Sequence, residues 1–99
     1  MYLKIHNTKE GKIVAACDKE LIGTVLEQKG GACMDLKTYR NFFVGELAAE
    51  EQLKAALRDF SSANLVGKKV VGIAVKERIV GKKDIKYIND VPYIQIYRI

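Results

Sequence analysis

The chain has 99 residues, with 17 Lys+Arg against 12 Asp+Glu, one His, two Cys and one Pro. A hydrophobic share of 48% beside 29% charged residues fits a folded domain and excludes a wholly disordered chain. No window approaches the roughly 18 apolar residues of a membrane span, and Met1-Tyr2-Leu3-Lys4 opens no secretory leader, so the expectation is one cytoplasmic globular domain over residues 1–99.

Tyr2 to Asn7 alternates, with Leu3 and Ile5 on one face and Tyr2, Lys4 and His6 on the other, as a strand does. Turn chemistry follows at Asn7-Thr8-Lys9-Glu10-Gly11, and Lys12 to Cys17 reads as the second arm of a hairpin. Asp18-Lys19-Glu20-Leu21 reads as a helical turn capped by Asp18 and ended by Gly23. Thr24–Gln28 and Ala32–Leu36 flank Gly30-Gly31 and predict a second hairpin, in a register that groups Val25, Glu27, Met34 and Leu36 on one face. Neither face of that pairing is cleanly apolar. Lys37 to Glu46 has little periodicity and reads as a loop anchored by Tyr39, Phe42 and Phe43.

Ala49 to Phe60 is the clearest helix, with Ala49, Leu53, Ala56, Leu57 and Phe60 in one apolar stripe and a Glu50–Lys54 pair facing away. Ser61-Ser62-Ala63-Asn64 is expected to end it, with Asn64 as a cap or turn residue. For Lys68 to Ile79 the pattern leaves helix and strand both open: Val70, Val71, Ile73 and Val75 suit a strand, yet Val70, Val71, Ala74 and Val75 also gather on one side of a helix. A basic loop opens at Gly81. Asp84–Ile88 and Tyr93–Ile99 read as the last two strands, with Pro92 starting the final one. Hairpins mixed with helices imply α+β: a mostly antiparallel or mixed sheet with one to two helices packed on one face.

The net charge of +5 is confined to one stretch. Residues 1–67 carry nine basic and nine acidic side chains, residues 87–99 carry Arg98 against Asp90, and residues 68–86 carry seven basic against two acidic. The Lys68, Lys69, Lys76, Lys82, Lys83 and Lys86 set therefore makes a local field suited to a polyanion, and Tyr87, Tyr93 and Tyr97 lie in the strands beside it as stacking faces for single-stranded RNA. In a regular strand Tyr93, Gln95 and Tyr97 project opposite to Ile94, Ile96 and Arg98.

No catalytic set competes with that signal. Cys17 and Cys33 form no C-x-x-C pair and read as reduced thiols, and a lone His6 supplies neither a metal site nor a triad. Gly67-Lys68-Lys69 resembles the end of a phosphate-binding loop, but its first glycine is missing and Lys69 stands where Ser or Thr belongs. No cofactor or metal is expected.

Read in order, Met1-Tyr2-Leu3-Lys4, Ala16-Cys17-Asp18-x-x-Leu21-Ile22-Gly23, Phe43-x-Gly45-Glu46, Ala63-Asn64-Leu65-Val66-Gly67 and Val91-Pro92-Tyr93-Ile94-Gln95 resemble an archaeal family of uncharacterised proteins, domain of unknown function 424. The resemblance covers nearly the whole chain. It implies a helix after Asn-Leu-Val-Gly, which tips 68–79 toward helix, and a small cytoplasmic protein without an established activity. Its closing motif commonly has His after Val-Pro, where this chain has Tyr93, which counts against catalysis at that position. Cys17, Asp18, Gly45, Glu46, Asn64 and Gly67 match the pattern and are candidate functional or turn-defining positions.

The leading expectation is a non-enzymatic accessory module contacting RNA or a ribonucleoprotein through residues 68–86. One alternative is an enzyme or small-ligand protein around Cys17-Asp18 and Gly45-Glu46, which requires a converging pocket and an acidified thiol. The other is a protein-interaction or homodimer module using Tyr93–Ile99 as a free edge.

Overall fold

The computed structural model describes residues 1–98, so Ile99, expected to end the last strand, lies outside the described residues. In chain order the first elements are β1 (Tyr2–Thr8), β2 (Gly11–Cys17), β3 (Val25–Glu27), β4 (Cys33–Asp35) and α1 (Arg40–Phe43). There follow β5 (Glu46–Leu47), α2 (Glu50–Ala56), β6 (Ser62–Val66), α3 (Lys68–Lys76), β7 (Lys86–Ile88) and β8 (Val91–Tyr97). Six strands form one mixed sheet in the order β5-β1-β2-β6-β8-β7, and β3 and β4 form a separate two-stranded sheet. The expected α+β architecture is present, with the second hairpin standing apart from the main sheet.

Strands β2 and β6 run parallel, so the chain between them must cross over, and α2 is carried on that crossover. The stripe Leu53, Leu57 and Phe60 packs with Val70, Val71, Ile73 and Ala74 of α3 onto Val14, Ala16, Ala63, Leu65 and Ile94 of the sheet. This is the main core. The stripe extends beyond the helix: α2 stops at Ala56, earlier than the expected Phe60, and Leu57 and Phe60 reach the core from the turn that follows. Arg98 lies over the Phe60 ring at 3.9 Å and covers it from solvent. On the outer side Glu50 pairs with Lys54 at 3.1 Å, as its spacing predicts.

A second, smaller cluster lies on the other face, where Ala15, Cys17 and Val66 are covered by Leu26, Leu36 and Phe43. That cover is the β3–β4 hairpin and α1. Its register is Val25↔Asp35, Leu26↔Met34 and Glu27↔Cys33, one residue away from the expected grouping. Directly paired residues share a face, so Leu26, Met34 and Leu36 point inward together and Val25, Glu27 and Cys33 point out. The slip turns two mixed faces into one apolar and one solvated face.

The largest departure from the sequence reading is β6. Ser61-Ser62-Ala63-Asn64 reads as turn chemistry, yet Ser62–Val66 is a central strand, between β2 and β8. Its composition is overridden by pairing on both edges. Ser61 fixes its start: the Ser61 N–H donates to the Lys12 carbonyl at 2.8 Å, its hydroxyl to the Glu10 carbonyl at 2.9 Å, and its own carbonyl accepts from the Arg98 N–H at 2.8 Å. Pro92 likewise sits within β8, opposite Tyr87 of the sheet's edge strand. Its carbonyl accepts from the Gly67 N–H at 2.8 Å, so its missing N–H faces the end of β6, where the ladder gives way to the turn into α3, and no bond to β7 is lost.

Two substitutions test this packing. Leu57 is 1% exposed, so Leu57→Ala should cost about 2–5 kcal/mol in chemical melts, and a negligible loss would remove Leu57 from the core. Gly72 lies inside α3, exposed, and a Cβ there would meet nothing within 4 Å. Gly72→Ala should therefore stabilise the protein by about 0.5–1 kcal/mol through helix propensity, seen as a raised Tm.

Candidate functional site

Asp18 follows the last residue of β2 and is 5% exposed. It is expected to cap the helical turn beginning at Lys19, but its side chain makes no bond there. Instead Oδ2 accepts from the Lys69 N–H at 3.0 Å and Oδ1 from the Val70 N–H at 2.9 Å. These are the second and third residues of α3, whose own cap position is Gly67, a residue with no side chain to offer. Asp18 thus caps a helix about fifty residues away. Its charge also opposes the unfavourable placing of Lys68 and Lys69 at the positive end of the helix dipole. Gly67 has φ 108°, and a Cβ on it would run into the Asp18 carboxylate. Glycine is required there on both counts.

Cys17, beside Asp18, is wholly buried, and burial together with the Asp18 charge pushes its thiol up to about 12. A nucleophilic cysteine needs the opposite shift. Its Sγ donates to the Asp18 carbonyl at 3.4 Å. Gly45 and Glu46 lie elsewhere, at the β1–β5 edge, where Gly45 packs against the Leu3 carbonyl and Glu46 is exposed opposite Leu3. The expected convergence of Cys17-Asp18 with Gly45-Glu46 is therefore not formed. Cys17, Asp18 and Gly67 make one structural clasp, and Asn64 stands apart from it on β6, facing the second side of the sheet.

The basic stretch is also divided. Lys76 lies 3.4 Å from Glu50, which already holds Lys54. Lys68 and Lys82 flank an apolar cleft of about 450 Å³ on the helix side, with Tyr87 beside them. Lys69 is exposed on the first turn of α3. Lys83 and Lys86 line a different groove, of about 540 Å³, at the open edge of β8, where Ile79, Val80, Ile94 and Ile96 of the helix-side core meet Gln95 and Tyr97 of the second face. The residues 68–86 thus reach both faces of the sheet.

β8 is not the free edge expected of the C-terminal strand. It pairs with β6 over Tyr93–Tyr97 and with β7 over Val91–Tyr93. Bonds from the Gly67 N–H to the Pro92 carbonyl and from the Arg98 N–H to the Ser61 carbonyl show that even-numbered residues turn their backbone groups toward β6. Gln95 and Tyr97 consequently present theirs to the other side, beyond the end of β7.

On the second face the register sets out rows across the sheet: Lys86–Tyr93–Val66–Cys17, then Gln95–Asn64–Ala15–Lys4, then Tyr97–Ser62–Ile13–His6. The cover buries Val66 and Cys17 of the first row and Ala15 of the second, and leaves Lys86 exposed. Near β1 it is held by His6, which stacks on Phe42 with centroids 4.7 Å apart and bonds the Phe42 carbonyl at 2.9 Å, and by Lys4, which donates to the Asn41 carbonyl at 2.8 Å. Toward β8 the cover ends and leaves a cavity of about 210 Å³ walled by Tyr39, Phe42, Tyr93, Asn64 and Gln95, with Met34 and Asp35 on the hairpin side. Tyr97, 75% exposed, continues this face into the Lys83–Lys86 groove. Sequence reading found Asn64 through the family pattern and Tyr93 through strand alternation. It missed Gln95 and Tyr39 as site residues, although the same alternation puts Gln95 on the face of Tyr93.

The fold and this face define a small α+β protein on a mixed six-stranded sheet, closed by helices on one side and partly open on the other. The chain belongs to the family described as Protein of unknown function (DUF424), whose model matches residues 5–99, in agreement with the motif resemblance. Its fold is similar to the crystal structure of an uncharacterized conserved protein from Methanopyrus kandleri, with TM-score 0.79 at 23% identity, covering 97% of this chain and 89% of that one. A search of curated proteins finds no match. Among the described residues no cluster of three His, Cys, Asp or Glu could hold a metal ion, and no helix is long and apolar enough to cross a membrane.

The clasp and the thiol can be tested directly. Asp18→Ala should cost about 2–3 kcal/mol and lower the Tm by roughly 10 °C or more, and an unchanged Tm would show that the cap carries no stability. A disulfide reagent should modify the exposed Cys33 quickly and Cys17 only on unfolding. Because the Cys17 thiol is raised from 9.0 to about 12, the unfolded chain ionises first. Stability should fall as pH rises through that window, and Cys17→Ala should flatten that alkaline slope.

Proposed function

We propose that the protein is a non-enzymatic module that contacts single-stranded RNA, free or within a ribonucleoprotein, in a cytoplasmic setting. The contact surface is the open part of the second sheet face together with the 79–86 bend. The observation that carries this reading is the line of Lys86, Tyr93, Gln95 and Tyr97 on a face that α2 and α3 leave free, with Lys83 and Lys86 along the Tyr97 groove. Cations beside exposed aromatic rings are the combination that holds a flexible strand: phosphates meet the ammonium groups and bases stack on the rings. The unpaired backbone groups of Gln95 and Tyr97 add donors and acceptors along the same path. Lys68, Lys69 and Lys82 serve at most as a secondary contact, since the cleft beside Lys68 and Lys82 opens on the helix side.

The enzyme reading loses its chemical basis with the buried, unreactive Cys17 and the structural use of Asp18. The homodimer reading retains one favourable feature, the half-open edge at Gln95 and Tyr97. A concentration-dependent dimer in sedimentation, abolished by Gln95→Pro, would support it.

Fluorescence anisotropy with a labelled 12-nucleotide RNA tests the primary reading. On a single strand, removing one lysine–phosphate pairing should reduce the log–log salt slope by about 0.7, so Lys83→Glu with Lys86→Glu should flatten it by about 1.4. The paired reversal should weaken binding at least tenfold, and Lys68→Glu with Lys82→Glu should weaken it less. Equal or greater loss from the helix-side pair, or no loss from Lys83 and Lys86, would overturn this assignment.

A further inference from the structure

We propose that the cavity between Tyr39, Tyr93, Asn64 and Gln95 is a pocket for one amino-bearing nucleobase. The base is presented by an RNA strand crossing the open face, in which case the pocket rests on the reading above, or by a free mononucleotide. Several independent features converge on this ligand class.

Asn64 occupies the middle of β6, a strand paired on both edges, where asparagine is a poor choice for stability. The register sets Gln95 directly across from it, so two amides stand side by side at the cavity wall. The side-chain hydrogen bonds around the cavity run from His6 to the Phe42 carbonyl and from the Lys37 and Thr38 N–H groups into Asp35 Oδ1, and neither amide takes part in them. Gln95 is exposed and Asn64 half-buried, and among the described residues no buried side-chain polar atom lacks a partner, so the unpaired amide atoms remain accessible to solvent. Two neighbouring strands, β6 and β8, therefore carry adjacent amides whose hydrogen-bonding capacity is left free at the cavity wall.

The shape and polarity of that space select the ligand. At about 210 Å³ it holds the volume of about seven waters, enough for one planar heterocycle and too little for its sugar and phosphate as well. Tyr39 and Tyr93 line it as aromatic walls for a planar ring, beside Phe42, one face of which is taken by His6. Asn and Gln each offer a donor and an acceptor in one plane, the pattern that reads the amino-and-ring-nitrogen edge of adenine. Among the described residues no Lys or Arg lines the cavity, which favours a neutral ring over an anionic group. The phosphate has a separate exit. Gln95 lines both this cavity and the neighbouring groove of Lys83 and Lys86, so a base seated beside Gln95 leaves its backbone facing those cations.

The test compares three probes on the purified protein: a labelled oligoadenylate, the same strand with abasic spacers at every position, and free AMP followed by NMR shifts of the tyrosine rings. Binding of the base-bearing strand at least tenfold tighter than the abasic one is expected. Asn64→Val should erase that preference while keeping the salt-dependent binding of the abasic strand. Its melt should be no weaker than wild type, because valine suits the strand better. Tyr39 is 67% exposed, so Tyr39→Ala should leave the fold intact and also reduce the preference. RNA binding with no dependence on bases would overturn the pocket and leave the RNA reading standing. AMP binding that is sensitive to Asn64→Val, without any RNA binding, would uphold the pocket and overturn the RNA reading. Absence of binding to all three probes would overturn both.

Discussion

The Asp18 carboxylate reaches from the end of β2 to the first turn of α3 and takes two N–H groups that the helix cannot satisfy for itself. Much of the arrangement depends on this contact. β2 and β6 are parallel neighbours, and the Asp18 N–H donates to the Val66 carbonyl at 3.0 Å, so Asp18 also extends the sheet by one bond. One residue therefore ends β2, prolongs its pairing with β6 and fixes where α3 begins. Gly67 is the matching constraint: its positive φ turns the chain sharply from β6 into α3, and its missing side chain makes room for the carboxylate.

Fixing α3 in this way divides the sheet into unequal faces. α2 and α3 seal the side carrying Val14, Ala16, Leu65 and Ile94, which is where most of the burial free energy resides. The other side receives only a three-residue-per-strand hairpin and a four-residue helix, too little to span six strands. These pieces cover the apolar positions Ala15, Cys17 and Val66 and stop. Beyond them the face carries Asn64, Gln95, Ser62 and Tyr97, residues that tolerate water. The half-covered face follows from a chain that has already spent its longer apolar segments on the first core.

What was legible in the sequence was whatever depended on local period. The β1–β2 hairpin, the stripe Leu53-Leu57-Phe60 and the alternation of Tyr93, Gln95 and Tyr97 all appear where spacing puts them. What failed depended on distant partners. Asp18 before Lys-Glu-Leu has the pattern of a local cap, and nothing in a window of ten residues reveals that its bonds run to Lys69 and Val70. Ser62-Ala63-Asn64 has turn composition and becomes a strand because β2 and β8 pair with it from both sides. The β3–β4 register slipped by one because only the packing against Phe43 and Val66 decides which face turns inward. The candidate site shares this division: Asn64 stood out through a family pattern and Gln95 lay on the face of Tyr93 by alternation, while Tyr39 reaches the cavity wall only through tertiary placement.

Charge shows the same contrast between one and three dimensions. Along the chain, residues 68–86 are one block holding the whole excess of +5. In space the block is separated by function. Lys68 and Lys69 stand at the wrong end of a helix dipole and are tolerated because the Asp18 carboxylate lies against the same N–H groups. Lys76 joins Lys54 around Glu50, a pairing that holds the Glu50 carboxyl below its usual range, chiefly through Lys54. Lys83 and Lys86 line a groove whose only acidic residue is Asp84, and the Asp84 carboxylate is occupied by the Gly81 N–H at 3.0 Å. Lys83 and Lys86 are therefore the cations of the block that adjoin the half-open stretch of β8, beside Gln95 and Tyr97. A block of lysines contiguous in the sequence is thus separated by the fold into a helix start, an ion-paired outer face and a groove at the edge of β8.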